Sequence, residues 1–446
     1  MQDSRFTYTF DTLQQISQDI LNQAKQAGAS ACEAEVSQGF GQNVTVRQNE
    51  VETIEYNRDK GLGVSVYFGQ RRGHASTSDL SPDAIRDTVK AACSIARHTA
   101  SDEFAGLADE ALLAREIPEL DLYHPWELPV EQAITLAQEC EAAAMGVDKR
   151  INNSEGASVS THESLFVYAN SLGFIGGYPT TRQGISCAVV AESEQGMQRD
   201  YWYATARAAA DLDSAAAVGR MAGERTVRRL DARKLKTMQV PVLFEAPLAS
   251  SLLGSFVGAV SGGSLYRKSS FLLDSLGKEI FAPFIHLQEL PHLPKGLASS
   301  PFDNEGVATK SRDVIKDGVL QGYFLSTYSA RKLGMTSTGN AGGSHNLILA
   351  DTGQDFDALL KTMERGLLVT ELLGQGVNPV TGDYSRGAAG FWVEGGKIQY
   401  PVEEITIAGN LKDMFRNIVA VGNDVVVRGA RQCGSILIGQ MTVAGE

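Results

Sequence analysis

From Ala246 to Tyr266 the chain carries no charged residue and no histidine. That stretch constrains the fold more than any other feature. Serine and glycine fill much of it, whereas a membrane-spanning helix needs predominantly large apolar residues. The expectation is therefore a helix buried inside the protein, entered from a strand at Pro241–Phe244. Ser250, Gly254 and Gly258 lie four apart, with Ser251, Ser255 and Ala259 beside them. Small side chains at that spacing let another element approach the helix backbone closely.

The remaining sequence has to surround this helix. A chain of 446 residues exceeds what one hydrophobic core supports, so two or three domains are expected. We read an α+β fold. An N-terminal α+β domain spans 1–235, with possible subdomains 1–118 and 119–235, and a β-rich domain with the small-residue helix spans 236–446. In the first part a helix is expected over about Thr12–Ala27, stopped by Gly28. Strand patterns follow at Val44–Val46, Val51–Ile54 and Val64–Phe68. Ser81-Pro82-Asp83 marks the start of another helix, with a hydroxyl cap, proline at the first position and an acid in the first turn. The order then recurs: a helix over about Pro129–Ala144, strands near 157–169 and 184–192, and a helix over about Ser214–Leu230. This suggests an internal duplication of a strand-and-helix unit. In the second part hairpins are expected at Ile315–Leu320 and Phe391–Tyr400, and short helices near Thr327–Leu333, Phe356–Arg365 and Leu411–Val419.

A net charge of −13 disfavours nucleic acid and anionic membranes as partners. Five scattered cysteines without a C-x-x-C pair point to reduced thiols in a cytosolic setting. The polar start Met-Gln-Asp-Ser-Arg-Phe has no apolar leader core.

Familiar catalytic patterns are largely missing. None of the seven histidines pairs with another at the spacing of two ligands on one helical turn. His286 and His292 fall in a Pro-rich loop. His162-Glu163 opens like a zinc motif, but Phe166 and Val167 stand where a second histidine would be. Leu349-Ala-Asp351-Thr-Gly353 resembles the aspartic-protease signature, yet that chemistry needs two aspartates sharing a proton, and a turn with a helix cap accounts for the segment. No P-loop, Rossmann fingerprint, EF-hand or nucleophile elbow occurs. The remaining candidates for binding a substrate or partner are Arg267 and Lys268, which could hold a peptide carboxylate or form a solvated helix end. The glycine-framed segment Gly382-Asp383-Tyr384-Ser385-Arg386-Gly387 and His345 after Gly342-Gly343 either line a site or make tight turns.

Four long runs carry a resemblance. They are Gly262–Lys278, Gly296–Gly306, Ser337–Asn346 and Gly374–Phe391, followed by Tyr400–Leu411 and Gly422-Asn-Asp424. Together they resemble the TldD/PmbA family of peptidases over nearly the whole chain. In the TldD branch the helix before the first run carries His-Glu-x-x-x-His and binds zinc. The matching positions here are Gly254, Ser255 and Ala259, so the chain resembles the PmbA (TldE) branch. The resemblance also marks Cys433, in Arg431-Gln-Cys-Gly, as a possible remnant of a third zinc-ligand position; a buried inert thiol is the other reading.

The resemblance implies a cytosolic metallopeptidase for unfolded or short peptides, made with a TldD-like partner chain. Zinc is then expected on the partner, with no metal, cofactor or catalytic residue in this chain. Alone, the chain would be inactive and could form a homodimer. Two alternatives stay open: a scaffold or regulatory binding protein without catalysis, and a homodimeric hydrolase using unrecognised residues such as Asp351.

Overall fold

The computed structural model describes residues 5–445. The first four residues of the polar start discussed above lie outside that range.

Two copies of one arrangement build the N-terminal part. Helix α1 (Phe10–Gln26), strands β1 (Ala31–Arg47), β2 (Glu50–Phe68) and β3 (Arg71–Thr77), and helix α2 (Pro82–His98) make the first. Helix α3 (Val130–Met145), strands β4 (Ile151–Asn170), β5 (Ile175–Ser193) and β6 (Gly196–Ala206), and helix α4 (Ala215–Val227) make the second. Their strands join into one antiparallel sheet, ordered β3-β2-β1-β4-β5-β6, with β1 and β4 paired at the centre from Glu33↔Asn170 to Val46↔Ala157. The duplication expected from sequence is thus visible as repeated topology.

Apolar alternation places the helices. On β1, Cys32, Ala34 and Val36 pack under α1 and α2, while Val44 and Val46 pack under α3 and α4. The Ser81 cap is the one the sequence suggests, its side chain accepting the Ala84 N–H, and Ser214 caps α4 in the same way through the Ala217 N–H. In the second copy α3 and α4 touch at the backbone. A Cβ on Gly219 would lie 1.9 Å from the Cys140 carbonyl oxygen, so only glycine fits.

The strands differ from the sequence reading. The separate runs at 51–54 and 64–68 are parts of the one strand β2. Its first eleven residues, Glu50 to Lys60, are exposed and are held by ladder pairing to β1 rather than by burial. Strands β3 and β6 were not expected either. Both lie at sheet edges, where one side of the backbone is unpaired and apolar alternation is weak.

The C-terminal part starts at β7 (Met238–Phe244), which runs straight into α5 (Ala246–Ala259) and the short α6 (Gly262–Tyr266). Then come β8 (Leu287–Glu289), β9 (Arg312–Lys316), β10 (Val319–Leu320), α7 (Thr327–Lys332), β11 (Leu347–Leu349), α8 (Phe356–Met363), β12 (Gly366–Leu373), β13 (Asp383–Glu394), β14 (Lys397–Asn410), α9 (Leu411–Arg416), β15 (Ile418–Val421), β16 (Arg431–Gln432) and β17 (Ile436–Ala444). One sheet has the order β10-β9-β8-β11-β16 and another β14-β13-β12-β7-β17-β15. Strand β14 also pairs with β17, through Thr406↔Ala444 to Ala408↔Thr442, and closes the second sheet into a barrel-like ring. The hairpins turn at Asp317-Gly318 and Gly395-Gly396, as expected.

Helix α5 buries Ala249, Leu252, Leu253, Phe256 and Ala259 in the large core of this part. The rest of the stretch differs from a helix buried all round. Ser250, Ser251, Gly254 and Ser255 are half-buried and Gly258 is exposed, so the small residues form the outer face. Absence of charge marks the whole helix, but the large side chains decide which face is inside. No helix among the described residues is long and apolar enough to cross a membrane.

Candidate functional site

The positions matched to the metal-binding helix lie on α5. Glu245 at its N-terminus makes no side-chain cap. The first helical N–H is instead accepted by Ser435 Oγ, 2.9 Å from Ala246 N. The Ser435 hydroxyl donates to Asp424 Oδ2 at 2.6 Å and its N–H to Asp424 Oδ1 at 2.8 Å. A serine at the start of β17 therefore caps a helix far away in sequence, with a carboxylate behind it. Ser435→Ala is expected to lower stability by about 1–2 kcal/mol, the usual cost of a lost cap, read as a shift in denaturation midpoint.

Further along α5, Gly254 is the point of closest approach. A Cβ there would meet Arg431 at 3.1 Å from Nη1, 3.2 Å from Cζ and 3.6 Å from Nε. The guanidinium of β16 thus lies over the place where a side chain at 254 would begin. Ser255 Oγ turns back to donate to the Ser251 carbonyl at 3.3 Å, and Ala259 is buried in the core. Cys433 is 1 % exposed; burial pushes its thiol up to about 12, helped by the Asp424 charge and opposed by Arg431. A single thiol cannot hold zinc, which takes three or four ligands from the chain. Among the described residues no three His, Cys, Asp or Glu side chains gather as a metal site would require. Glycine, serine, alanine, one isolated thiol and a fixed positive charge do not fit zinc.

The other candidates separate into distinct places. Arg267 is exposed, donates to the neighbouring Tyr266 hydroxyl at 3.0 Å and lies 5.2 Å from that ring. Lys268 is exposed in a left-handed turn with φ 56°. His345 is buried: its N–H donates to Glu289 Oε1 at 2.9 Å, and its Nε2 sits 2.9 Å from the Gly339 carbonyl. Glu289 also accepts from Asn340 Nδ2 and Arg312 Nε, so this histidine belongs to a buried polar hub. Asp383 is exposed on β13, and bonds from Thr381 Oγ1 and Asn410 Nδ2 hold its carboxyl below the usual range. Tyr384 and Arg386, on the other side of the same strand, are the two candidates the structure brings together. The Tyr384 ring packs edge-on to Phe244 with centroids 6.4 Å apart. Burial raises its phenol to about 12, and the neighbouring Arg386 charge opposes the rise.

The motif acids of Gly296–Gly306 are structural. Asp303 Oδ1 accepts the N–H groups of Glu305 and Val307 at 2.9 and 3.0 Å, and its Oδ2 accepts Ala341 N–H at 2.9 Å. Glu305 Oε2 accepts Thr327 N–H at 2.8 Å. Asn346 likewise ties Ala298, Leu290 and Ser299 together. His286 pairs with Asp313 at 3.2 Å, and His292 contacts Thr309 at 2.9 Å. His162 lies over Gly39 and Gly41 of the central sheet. Asp351 is exposed in a turn, with Oδ1 accepting Gly353 N–H at 2.8 Å.

Sequence reasoning did not find Arg431 or the Ser435–Asp424 cap. The small residue at 254 announced a close approach, but the group that approaches comes from a strand remote in sequence, and no local pattern marks it.

Comparison with known proteins gives the family and the fold. Three family models match in order: PmbA/TldA metallopeptidase domain 1 over residues 32–96, the central domain over 123–230 and the C-terminal domain over 237–445. The chain belongs to the PmbA/TldD metallopeptidase family. It is 54 % identical to the metalloprotease PmbA of Escherichia coli O157:H7, over 94 % of this chain and 93 % of that one. A metalloprotease TldD homolog of Haemophilus influenzae is 23 % identical over 82 % of this chain and 80 % of its own length. A solved structure from Bacteroides thetaiotaomicron, described as a candidate modulator of DNA gyrase, superimposes with a TM-score of 0.93 at 29 % identity, covering 98 % of this chain and 100 % of that one. TldE from Thermococcus kodakarensis shares the fold, with a TM-score of 0.82 at 19 % identity over 96 % of this chain and 100 % of that one.

Proposed function

We propose that this chain is the metal-free subunit of a cytosolic two-chain metallopeptidase that hydrolyses short or unfolded peptides. One observation carries the reading: on α5, Gly254 faces the Arg431 guanidinium where a zinc-binding relative of the family would begin a ligand. Hydrolysis by a zinc peptidase needs a metal to lower the pKa of water and a carboxylate to take its proton. Gly254, Ser255 and Ala259 supply neither. The metal, the water and the base then come from a TldD-like partner carrying His-Glu-x-x-x-His. The present chain completes the chamber and presents its own face to the peptide.

Metal analysis and a peptidase assay on the purified chain, alone and mixed with such a partner, test this directly. Alone, the chain is expected to hold well under one zinc per molecule and to leave a set of short unstructured peptides uncut. With the partner, one zinc per pair and peptide cleavage are expected, lost on chelation. Stoichiometric zinc or turnover in the lone chain defeats the reading.

A further inference from the structure

We propose that the outer nitrogens of Arg386 bind a peptide carboxylate, with Tyr384 behind the guanidinium as a positioning residue. Arg386 is half-buried on β13, and among the described residues it has neither an acidic partner nor a carbonyl acceptor; the Tyr384 hydroxyl is its polar neighbour. Its ladder neighbours are uncharged: Ile407 lies opposite on β14, and Leu373 on β12 faces the adjacent Gly387. The carboxylate closest in sequence, Asp383, points to the other side of the strand and is already held by Thr381 and Asn410.

Behind the exposed end of Arg386 two polar atoms are shut off from solvent. Arg386 Nε and the Tyr384 hydroxyl are both buried without a well-formed hydrogen bond, and Tyr384 is 2 % exposed. A half-buried charge with no counter-ion is costly, and the buried phenol oxygen has only the neighbouring guanidinium as a polar partner, in imperfect geometry. In most proteins such groups are satisfied within the chain. Here the chain gives the guanidinium the Tyr384 hydroxyl but no negative charge, and an anion arriving from outside neutralises it. A carboxylate fits best, because its two oxygens match the planar fork of arginine. With the charge so paired, the guanidinium stays against the phenol oxygen that already neighbours it. Tyr384 thereby fixes the orientation of the fork without touching the ligand.

The choice of a peptide as carrier of the carboxylate rests on the peptidase reading. Binding is measured on the lone chain without metal or partner, so loss of the site and loss of that reading are separate results. The probes are a short peptide with a free C-terminus, the same peptide amidated, an amidated version with one internal glutamate, and inorganic phosphate, each titrated calorimetrically. The peptide with the free C-terminus, the glutamate peptide or both are expected to bind about tenfold tighter than the plain amide, and which of them does so names the source of the carboxylate. Arg386→Gln should remove this preference while leaving amide binding as it was. Tyr384→Phe keeps the ring and should reduce the preference about threefold with an unchanged melting temperature. A merely structural tyrosine would alter stability and not the preference. If Arg386→Gln does not fold, the wild-type comparison together with Tyr384→Phe still decides. Equal binding of all peptides, a preference that survives Arg386→Gln, or phosphate binding with no gain from either peptide carboxylate overturns the proposal.

Discussion

Replacing Arg225 with methionine is expected to lower the unfolding free energy by about 3–5 kcal/mol. Arg225 sits on α4 with a side chain 7 % exposed, and it reaches across to the C-terminal part. Its Nη1 donates to both oxygens of Glu245 at 2.9 Å, its Nε lies 3.4 Å from Asp200 Oδ2, and its guanidinium is 5.1 Å from the Trp202 ring. Arg228 and Arg229 add contacts to Glu245 and Asp200, and Arg229 also pairs with Glu371. Methionine keeps most of the packing volume but leaves two buried carboxylates short of positive charge. The penalty comes from those orphaned acids more than from the bonds lost, which is why removing one member of a buried network costs more than a surface pair is worth. Denaturant titration of the single variant, and of the double variant with Glu245→Gln, checks the cause. The double variant should recover part of the loss; a single-variant cost below about 1 kcal/mol would show that the network does not hold the two parts together.

Asp303 should make stability depend on pH in the direction opposite to that of a salt-bridged acid. Burial raises its carboxyl to about 7; the Ala341 N–H opposes the shift and the nearby Glu305 charge adds to it. The folded chain therefore holds a proton that the unfolded chain releases near 3.8. Asp303 contributes stability below that value and loses the contribution as pH rises toward 7, after which the curve is flat in this term. The span corresponds to about 4 kcal/mol, at about 1.36 kcal/mol for each tenfold change in proton affinity. Asp303→Asn cannot ionise, so the decline between about pH 4 and pH 7 should shrink by that amount. The variant should also be less stable at the acid end by about 1–3 kcal/mol, because an amide cannot accept all three backbone N–H groups that the carboxyl now serves. Denaturation midpoints of both proteins across that range give the answer. Parallel pH curves would mean that Asp303 is not the titrating group.

Both predictions concern residues whose roles are invisible locally. In the sequence Asp303 is one acid within the run Gly296–Gly306 with no role assigned, while the structure shows it tying three backbone amides. Arg225 reads as one charge on an amphipathic helix. The chain-wide resemblance pointed to α5 as the helix to set against the metal-binding helix of the TldD branch, and one of its runs covers the glycine-framed segment of β13. It did not reveal that Arg431 lies over Gly254 or that Arg386 lacks a counter-ion. Nor did it separate Tyr384 and Arg386 from Asp383, although strand alternation alone puts them on opposite sides.

The sequence by itself determined the class of fold, the repeated helix–strand–helix order, the principal caps and hairpin turns, and the absence of imidazole and carboxylate at 254, 255 and 259. These are local or compositional facts, set by periodicity, turn chemistry and residue identity. Only the tertiary structure decided which face of α5 is buried, that β14 closes onto β17, that Ser435 caps a distant helix, and which charges meet a partner. Those outcomes depend on groups brought together from remote parts of the chain, where burial fixes the energy of each polar contact and no short run of residues records it.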